Sequence, residues 1–496
     1  MRSSMIRCFA LALLFYVVAQ AGAAEEYWSY SYGNFDVTTA GDGAHAGTLV
    51  HNVARFDVAL SKILQLPDIQ IPTHIYFLPA KEAEALLGKD DAAAYKFSGY
   101  EVTTVSGPES GSANRYWGAL FGYTGALLVN GRASRFPFWF QVGVPYLFAN
   151  TEFEGDRIRT GGVIPGFAQT LQHGGLIPMR TFLRLQHDDP QLKNSTYMSM
   201  YSAESWYLAR EIYVENKLRP EFAHYFSMLK NGENEQSAFA ASFKFDYEDL
   251  DKRLAADMSA PVHVFVVPVP REPANQGSPQ QLSVAEAKGR VAELNLEWAH
   301  RAAALQLAAE ALQADPKNER ALRVMARANM QEGNFAVALA AADRVTALSA
   351  PSAAGLTDCG NVLAALAHSV AQKEASVGVD ADTLTRRAKE TYERALSLDA
   401  EYLRSWAGLA YVYSSGRDAD AVRAFLSRVK PVMEKHSYSG ALAQALARMC
   451  LQTGQTQDAF VFAEFWRDDA INLVDLDHAN AFISRLKTNP TTGGGA

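Results

Sequence analysis

The side chains able to do metal or nucleophile chemistry are present in this sequence but scattered. Zinc hydrolysis from a helix needs two imidazoles one turn apart and a carboxylate between them to activate water. No two of the eleven histidines have that i, i+4 spacing on one predicted helix with a carboxylate beside them. Each reads as a surface or satisfied polar residue. Glu152, Glu154 and Asp156 cluster, but without the spacing of an EF-hand loop they read as a solvated turn. Ser202 and Ser205 flank Glu204 with no partner base in view, and helix packing of Tyr201 and Trp206 accounts for the stretch. Cys359 and Cys450 lack C-x-x-C spacing and fall on inward helix faces, which predicts two buried free thiols even where export would permit a disulfide. Asn194-Ser195-Thr196 is a glycosylation sequon, meaningful only on a eukaryotic secretory route.

The 496 residues leave room for two to four domains, and 48% hydrophobic with 20% charged residues is ordinary globular composition. A formal charge of −8 gives no broad surface for a polyanion, so no nucleic-acid partner is expected. Residues 1–24 read as an export signal: Arg2 and Arg7, an apolar run over Cys8–Ala19, then Ala21-Gly22-Ala23 before a cut near Ala23 or Ala24. The run is shorter than the ~20 apolar residues that a membrane span requires, and no later segment is long and apolar enough. The expected location is therefore an exported compartment, in the first place the bacterial periplasm, with secretion as the other outcome.

The elements follow in order. Glu25–Ala40 alternates like strand, residues Gly47–Leu64 show helical spacing, and Ile71–Leu78 reads as a second strand. Lys81–Leu87 is a short helix, and Ser98–Ala113 reads as a loop. Leu120–Ala149 reads as two apolar helices around a short basic turn. Phe153–Gly162 is a hairpin or edge strand. Helices are predicted at Thr181–Leu185, Tyr197–Val214, Arg219–Leu229, Glu235–Phe243 and Tyr247–Asp257. Val262–Val269, ringed by prolines, fits only a sheet edge, and Arg271–Gln281 reads as a linker.

Beyond Leu282 the composition shifts to Ala, Leu and Arg, and a period of about 34 residues emerges. Trp406-x2-Leu409-Ala410-x2-Tyr413 has a first-helix pattern, and Ala388-x3-Tyr392-x2-Ala395 the pattern of the helix before it. Gly333 and Gly454 mark inter-helix turns, and an insertion falls around Lys373–Asp382. On these residues, Leu282–Lys487 resembles tetratricopeptide repeats. That resemblance implies a superhelix of helix pairs that binds a protein or peptide.

A second resemblance rests on the central helices. Phe121-Gly122-Tyr123-Thr124-Gly125-Ala126-Leu127-Leu128 is followed by Trp139-Phe140-Gln141-Val142-Gly143-Val144-Pro145-Tyr146-Leu147-Phe148-Ala149, then by Ile177-Pro178 and Tyr201-Ser202-Ala203-Glu204-Ser205-Trp206. With these, Trp28–Met258 resembles the peptidase-MA-like gluzincin domains of exported bacterial proteins, whose helices read roughly H-E-[YF]-[AT]-H-x-L-L and W-L-x-E-G-[LI]-A-E-Y-F-A. The resemblance puts the first zinc-ligand position at Phe121, the catalytic glutamate at Gly122, the second ligand at Gly125 and the third at Val142, with a further acidic position at Tyr146. None of these carries charge. Phe121 and Val142 are expected to fill the vacated space, and Tyr123 and Gln141 to line what is left of the cleft.

The expected fold class is α+β: a degenerate gluzincin-like metallopeptidase domain plus an all-α tetratricopeptide-type superhelix. The expected division is a signal at 1–24, the degenerate domain at 25–260, edge strand and linker at 261–281, repeats at 282–488 and a disordered tail at 489–496. The expected function is that of a non-catalytic pseudo-peptidase, without metal or cofactor, that binds a protein or peptide through its repeats. A metal-free hydrolase of peptide or cell-envelope substrates, and an envelope assembly factor working through the repeats alone, are the other two readings.

Overall fold

The computed structural model describes residues 26–41, 43–64, 71–88, 93–107, 116–130, 136–258, 263–269, 278–414, 418–436, 440–468, 470 and 473–488. The expected export signal, most of the expected linker and the expected tail lie outside these residues.

The chain opens with the hairpin β1 (Tyr27–Tyr32) and β2 (Phe35–Ala40), then α1 (Gly43–Leu64), β3 (Thr73–Phe77), α2 (Ala80–Leu87), β4 (Ala93–Phe97) and β5 (Val102–Ser106). The strands form one mixed sheet in the order β4-β5-β3-β2-β1-β9, where β9 is Gln280–Gln281. β2, β3 and β5 run parallel, as helical crossovers allow, while β1 and β4 run antiparallel to their neighbours. The expected loop at Ser98–Ala113 therefore contains a strand. Every residue of β5 is buried, so it lacks the alternation that betrays a half-exposed strand. The final two residues of the expected linker are also strand, paired with Trp28 and Ser29.

Two helices follow: α3 (Trp117–Asn130) and α4 (Phe138–Ala149). They precede a second sheet of β6 (Thr151–Glu154), β7 (Arg157–Thr160) and β8 (Phe265–Pro268), with β8 at its edge as the prolines require. Then come α5 (Pro165–Gly174), the short α6 (Met179–Phe182), α7 (Ser195–Tyr213), α8 (Arg219–Lys230), α9 (Glu235–Ser242) and α10 (Tyr247–Asp257). Trp139, Phe140, Val144, Leu147 and Phe148 of α4 are fully buried in the core shared with α1, α3 and α7. Gly143 lets α4 meet the backbone of α7: a β-carbon there would lie 2.1 Å from the Ser205 carbonyl oxygen.

The rest is helical: α11 (Val284–Glu297), α12 (Arg301–Ala314), α13 (Glu319–Gln331), α14 (Phe335–Thr346), α15 (Ala353–Ala371), α16 (Ala381–Leu398), α17 (Leu403–Ser414), α18 (Ala419–Lys435), α19 (Gly440–Gln452), α20 (Thr456–Asp468) and α21 (Leu473–Thr488). Helices pack in consecutive pairs, and α11, α13, α15, α17 and α19 each pack on the next in that series. This is a stack of tetratricopeptide-like helix pairs. Side chains of Ser283, Asn318, Ser352 and Asp380 accept hydrogen bonds from first-turn N–H groups and fix where α11, α13, α15 and α16 start. Gly333 and Gly454 both take φ of 78° in the turns within pairs. The predicted insertion opens the turn between α15 and α16. Cys359 and Cys450 are free and buried.

The two halves share a core. Successive strand residues point to opposite faces of the sheet. Tyr30, Phe35, Val37, Ile75 and Phe77 face α1 and α3, whereas Tyr27, Tyr76 and Val105 pack on Ala287, Val291 and Leu294 of α11. The first helices of the stack thus carry the sheet.

Gly143→Ala is expected to destabilise the protein by roughly 1–3 kcal/mol in urea unfolding, since backbone rather than a mobile side chain must yield. Gly166→Ala, with open space at its β-carbon, is the control and is expected to be neutral or slightly stabilising.

Candidate functional site

The positions that the resemblance assigns to zinc are closed by packing. On α3, Gly118, Gly122 and Gly125 lie on one stripe that seats against β4 and β5. A β-carbon at Gly122 would lie 2.6 Å from Thr104 Oγ1, and one at Gly125 would lie 2.5 Å from the Tyr95 ring. Bare backbone is what lets the helix sit this low on the sheet, which offsets the cost of about 1 kcal/mol per glycine in a helix. Phe121, on the neighbouring stripe, stacks on Trp117 with ring centroids 5.0 Å apart and meets Tyr146 of α4 at the same distance. Tyr146 in turn meets Phe167 at 4.8 Å. Val142, one turn before Tyr146, is half-buried against the same core. An aromatic cluster of Trp117, Phe121, Tyr146 and Phe167 thus occupies this region, a broader filling than Phe121 and Val142 alone.

The donor set does not fit zinc. Phe121, Gly122, Gly125 and Val142 have no side-chain donor atom, and the Tyr146 ring is spent on aromatic contacts. The two residues expected to line a cleft do not do so. Tyr123 is 1% exposed, with its hydroxyl donating to Asp57 at 2.6 Å and its ring against Phe35 and Phe56. Helical phase explains this, because position 123 points to α1 rather than along the Phe121 stripe. Gln141 turns back to donate to the Phe136 carbonyl at 2.9 Å.

The residues of the repeat signature pack inside the helix stack. Ala388, Ala395, Leu409 and Ala410 are fully buried. Trp406 donates its indole N–H to the Ala400 carbonyl at 2.9 Å and packs on Phe425, beside Tyr413. The Tyr392 ring is clasped by Gly360 and Gly408, where β-carbons would lie 2.5 and 2.3 Å from it, and its hydroxyl donates to Asn361 at 2.7 Å.

The most chemically loaded place in the molecule was not apparent from motifs. Between the sheet and the first helices of the stack lies a cavity of about 620 Å³. From the sheet side come His74 and Tyr76 of β3, with Tyr100, Glu101 and Thr103 at β5. From the helices come Glu293 and Glu297 of α11, Arg320 and Arg323 of α13, Tyr402, and Arg404 of α17. An ion-pair network crosses the junction. Arg290 bonds Asp36 at 2.7 Å and Thr38 at 3.0 Å. His74 sits 3.5 Å from Asp36 and 3.7 Å from Glu101. Arg404 bridges Glu101 at 3.2 Å and Asp358 at 3.1 Å. Arg323 joins Asp358 at 2.8 Å to Glu293 at 2.7 Å.

These contacts set the titration of the site. Burial alone would lower the His74 pKa, but its hydrogen bonds and charge interactions with Asp36 and Glu101 reverse that and hold it up at about 10. Burial raises Glu101, yet His74 and Arg404 outweigh it and bring it to about 2. Glu297 has no such help. Burial, then Glu293 and Glu101, push it up to about 7 against the weaker pull of Arg327 and His74. The helical spacing of Arg290, Glu293 and Glu297, and of Arg320, Arg323 and Arg327, is the signal in the sequence that marks these charged stripes.

No family model matches the sequence, and neither does any curated protein. Among solved structures the chain is similar to a thermophilic tetratricopeptide-repeat protein of Thermus thermophilus, TTC0263, at 18% identity and a TM-score of 0.34, over 40% of this chain and 99% of that one. It is also similar to yeast Tom70 at 14% identity and a TM-score of 0.26, over 65% of this chain and 70% of that one. At these TM-scores neither likeness carries an argument, and the repeat character described above rests on this chain's own helix pairs.

Three outcomes are expected. Asp358 is 1% exposed among Arg323, Arg327 and Arg404, so Asp358→Ala leaves buried cations uncompensated and is expected to cost about 3–5 kcal/mol in denaturant unfolding. Gly125→His is expected to destabilise by roughly 1–3 kcal/mol, because Tyr95 must move aside. On pH, a raised carboxyl contributes stability that is complete below its unfolded value near 4.5 and is lost as pH rises through about 7. Chemical stability should therefore fall by roughly 1–2 kcal/mol from about pH 5 to about pH 8, a slope that Glu297→Gln flattens. His74 acts in a higher, overlapping window: its contribution is complete below about 6.5 and is lost progressively from there to about 10, so the part of the fall above about pH 6.5 that it causes persists in Glu297→Gln.

Proposed function

We propose that this chain is an exported, non-catalytic relative of gluzincin peptidases that works as a protein-binding scaffold. The observation that supports the reading is the closure of α3 onto the sheet. The positions that would hold zinc carry Phe121, Gly122, Gly125 and Val142, and the space around them is taken by Tyr95, Thr104, Trp117 and Tyr146. A hydrolytic centre needs a donor set and room for substrate beside it, and this helix offers neither.

On this reading the repeats supply the binding function. The stretch of first-helix surface beyond the sheet forms a groove of about 340 Å³ lined by Tyr100, Asn361, Ala365, Ala407, Gly408 and Tyr411. Small side chains from two helices leave its floor open, and Tyr411, 48% exposed, offers an aromatic face to a docked chain. Fold alone does not assign a function, so the assignment is made on these residues.

Elemental analysis of the purified mature protein tests the non-catalytic half, with less than a tenth of an equivalent of zinc expected after gel filtration. One retained equivalent, with peptidase activity lost on chelation, would overturn it. A photo-crosslinking side chain at Tyr411 tests the other half. It is expected to capture the same partner reproducibly in the native compartment, while one at exposed Val266, on the far sheet, captures none.

A further inference from the structure

The cavity between sheet and repeats holds groups that the ion-pair network leaves unused. Seven carboxylates line it, against the three guanidiniums of Arg320, Arg323 and Arg404 and the imidazoles of His74 and His436. Arg320, Arg323 and Arg404 each already bind two acids, within the cavity or beside it. Glu297 is the exception. Among the described residues its carboxylate has no hydrogen-bond or ion-pair partner. The nearby ammonium of Lys96 is directed instead to the Glu297 backbone carbonyl and the Trp298 ring.

A second and independent observation is Tyr76. It is 5% exposed and lines the cavity, yet its phenol has no hydrogen-bond partner among the described residues. The phenols of Tyr100 and Tyr402, on the same lining, are likewise unpartnered there. These hydroxyls open into the cavity, where a bound group can meet them. An unpaired carboxylate with Tyr76 near it, and two further phenols on the same cavity lining, make a site for a cation with N–H donors. The ring faces attract positive charge, the carboxylate pairs with it, and the phenol oxygens accept its hydrogens.

We propose that this cavity is a binding site for a primary alkylammonium group, held by Glu297 and Tyr76, with Tyr100 and Tyr402 on the same lining. Because the site is built from both halves of the chain, it exists only while the repeats carry the sheet. It shares Tyr100 with the Tyr411 groove but does not depend on the scaffold reading. The alkylammonium can come from a free di- or polyamine or from a lysine side chain of a peptide, and the cavity volume admits either.

The charged groups facing Glu297 are Glu293 on its own helix, Arg320 and Arg327 of α13, His74 and Glu101 from the sheet, and Lys96 of β4. His74 stays protonated and Glu101 ionised across neutral pH, so Glu297 is the member of this group that changes charge there. A ligand ammonium is then expected to bind better at pH 8 than at pH 6.

Calorimetric titration of the full mature chain with cadaverine, spermidine and the blocked tripeptide acetyl-Ala-Lys-Ala-amide tests the proposal, with the norleucine analogue as control. Saturable one-site binding is expected at pH 8 with at least one amine probe, weakened at least fivefold at pH 6. Glu297→Gln is expected to weaken it at least tenfold and to remove the pH dependence, and Tyr76→Phe to weaken it several-fold. Thermal melts of both variants confirm that the fold is retained. Binding of the free amines alone assigns the site to a small molecule, and binding of the lysine peptide alone to a peptide side chain, both in support. No saturable binding of any amine probe would overturn the proposal, as would binding that both variants leave unchanged or that the norleucine peptide matches.

Discussion

The structure depends on Asp358. It is a buried carboxylate on α15, and Arg323, Arg327 and Arg404 converge on it from two neighbouring helices. Through Arg404 it reaches Glu101 at the start of β5, through Glu101 it reaches His74, and through His74 it reaches Asp36 and then Arg290. Ion pairs buried this deeply are a weak source of net stability, because desolvation offsets most of the attraction. Their effect is on geometry. Each guanidinium has one arrangement in which its partners are all satisfied, and that arrangement fixes how the stack of helices meets the sheet. The apolar contacts of Tyr27, Tyr76 and Val105 with α11 supply the attraction without specifying the angle.

The same sheet explains the fate of α3. Its upper neighbours are side chains of β4 and β5, and the helix approaches them on glycine. A histidine or glutamate at Gly122 or Gly125 would need space that Thr104 and Tyr95 fill. On the proposed relationship, the difference from a zinc motif lies in helix–sheet spacing as well as in residue identity. The aromatic side of the helix, Trp117 and Phe121, found its partners in Tyr146 and Phe167.

Much of the architecture was legible in the sequence because it is local. The helices of the second half are announced by 3.6-residue periodicity, and by Ser, Asn and Asp at their starts. What escaped was non-local. β5 gave no alternation because both its faces are covered. The resemblance puts Tyr123 in a cleft, while its helical phase sends it to Asp57. The cavity was hidden most completely: Asp36 and Arg290 are 254 residues apart, and Glu101 and Arg404 are 303 apart. No window along the chain contains both members of either pair.

The short strand β9 has a consequence for the order in which the protein is made. Gln280 and Gln281 close the β1 side of the sheet, and α11 follows at once to cover its second face. Synthesis runs from the other end, so the sheet strands are all complete while that edge and that face still have nothing on them. The shift in composition near Leu282 therefore divides the sequence without dividing the folding unit. The first half reaches its final state only when the second arrives, and in the interval it presents an open strand edge, a known route to unwanted pairing. A break in the backbone just before β9 in the finished protein would, by the same logic, leave two pieces still joined by strand pairing, apolar contact and charge.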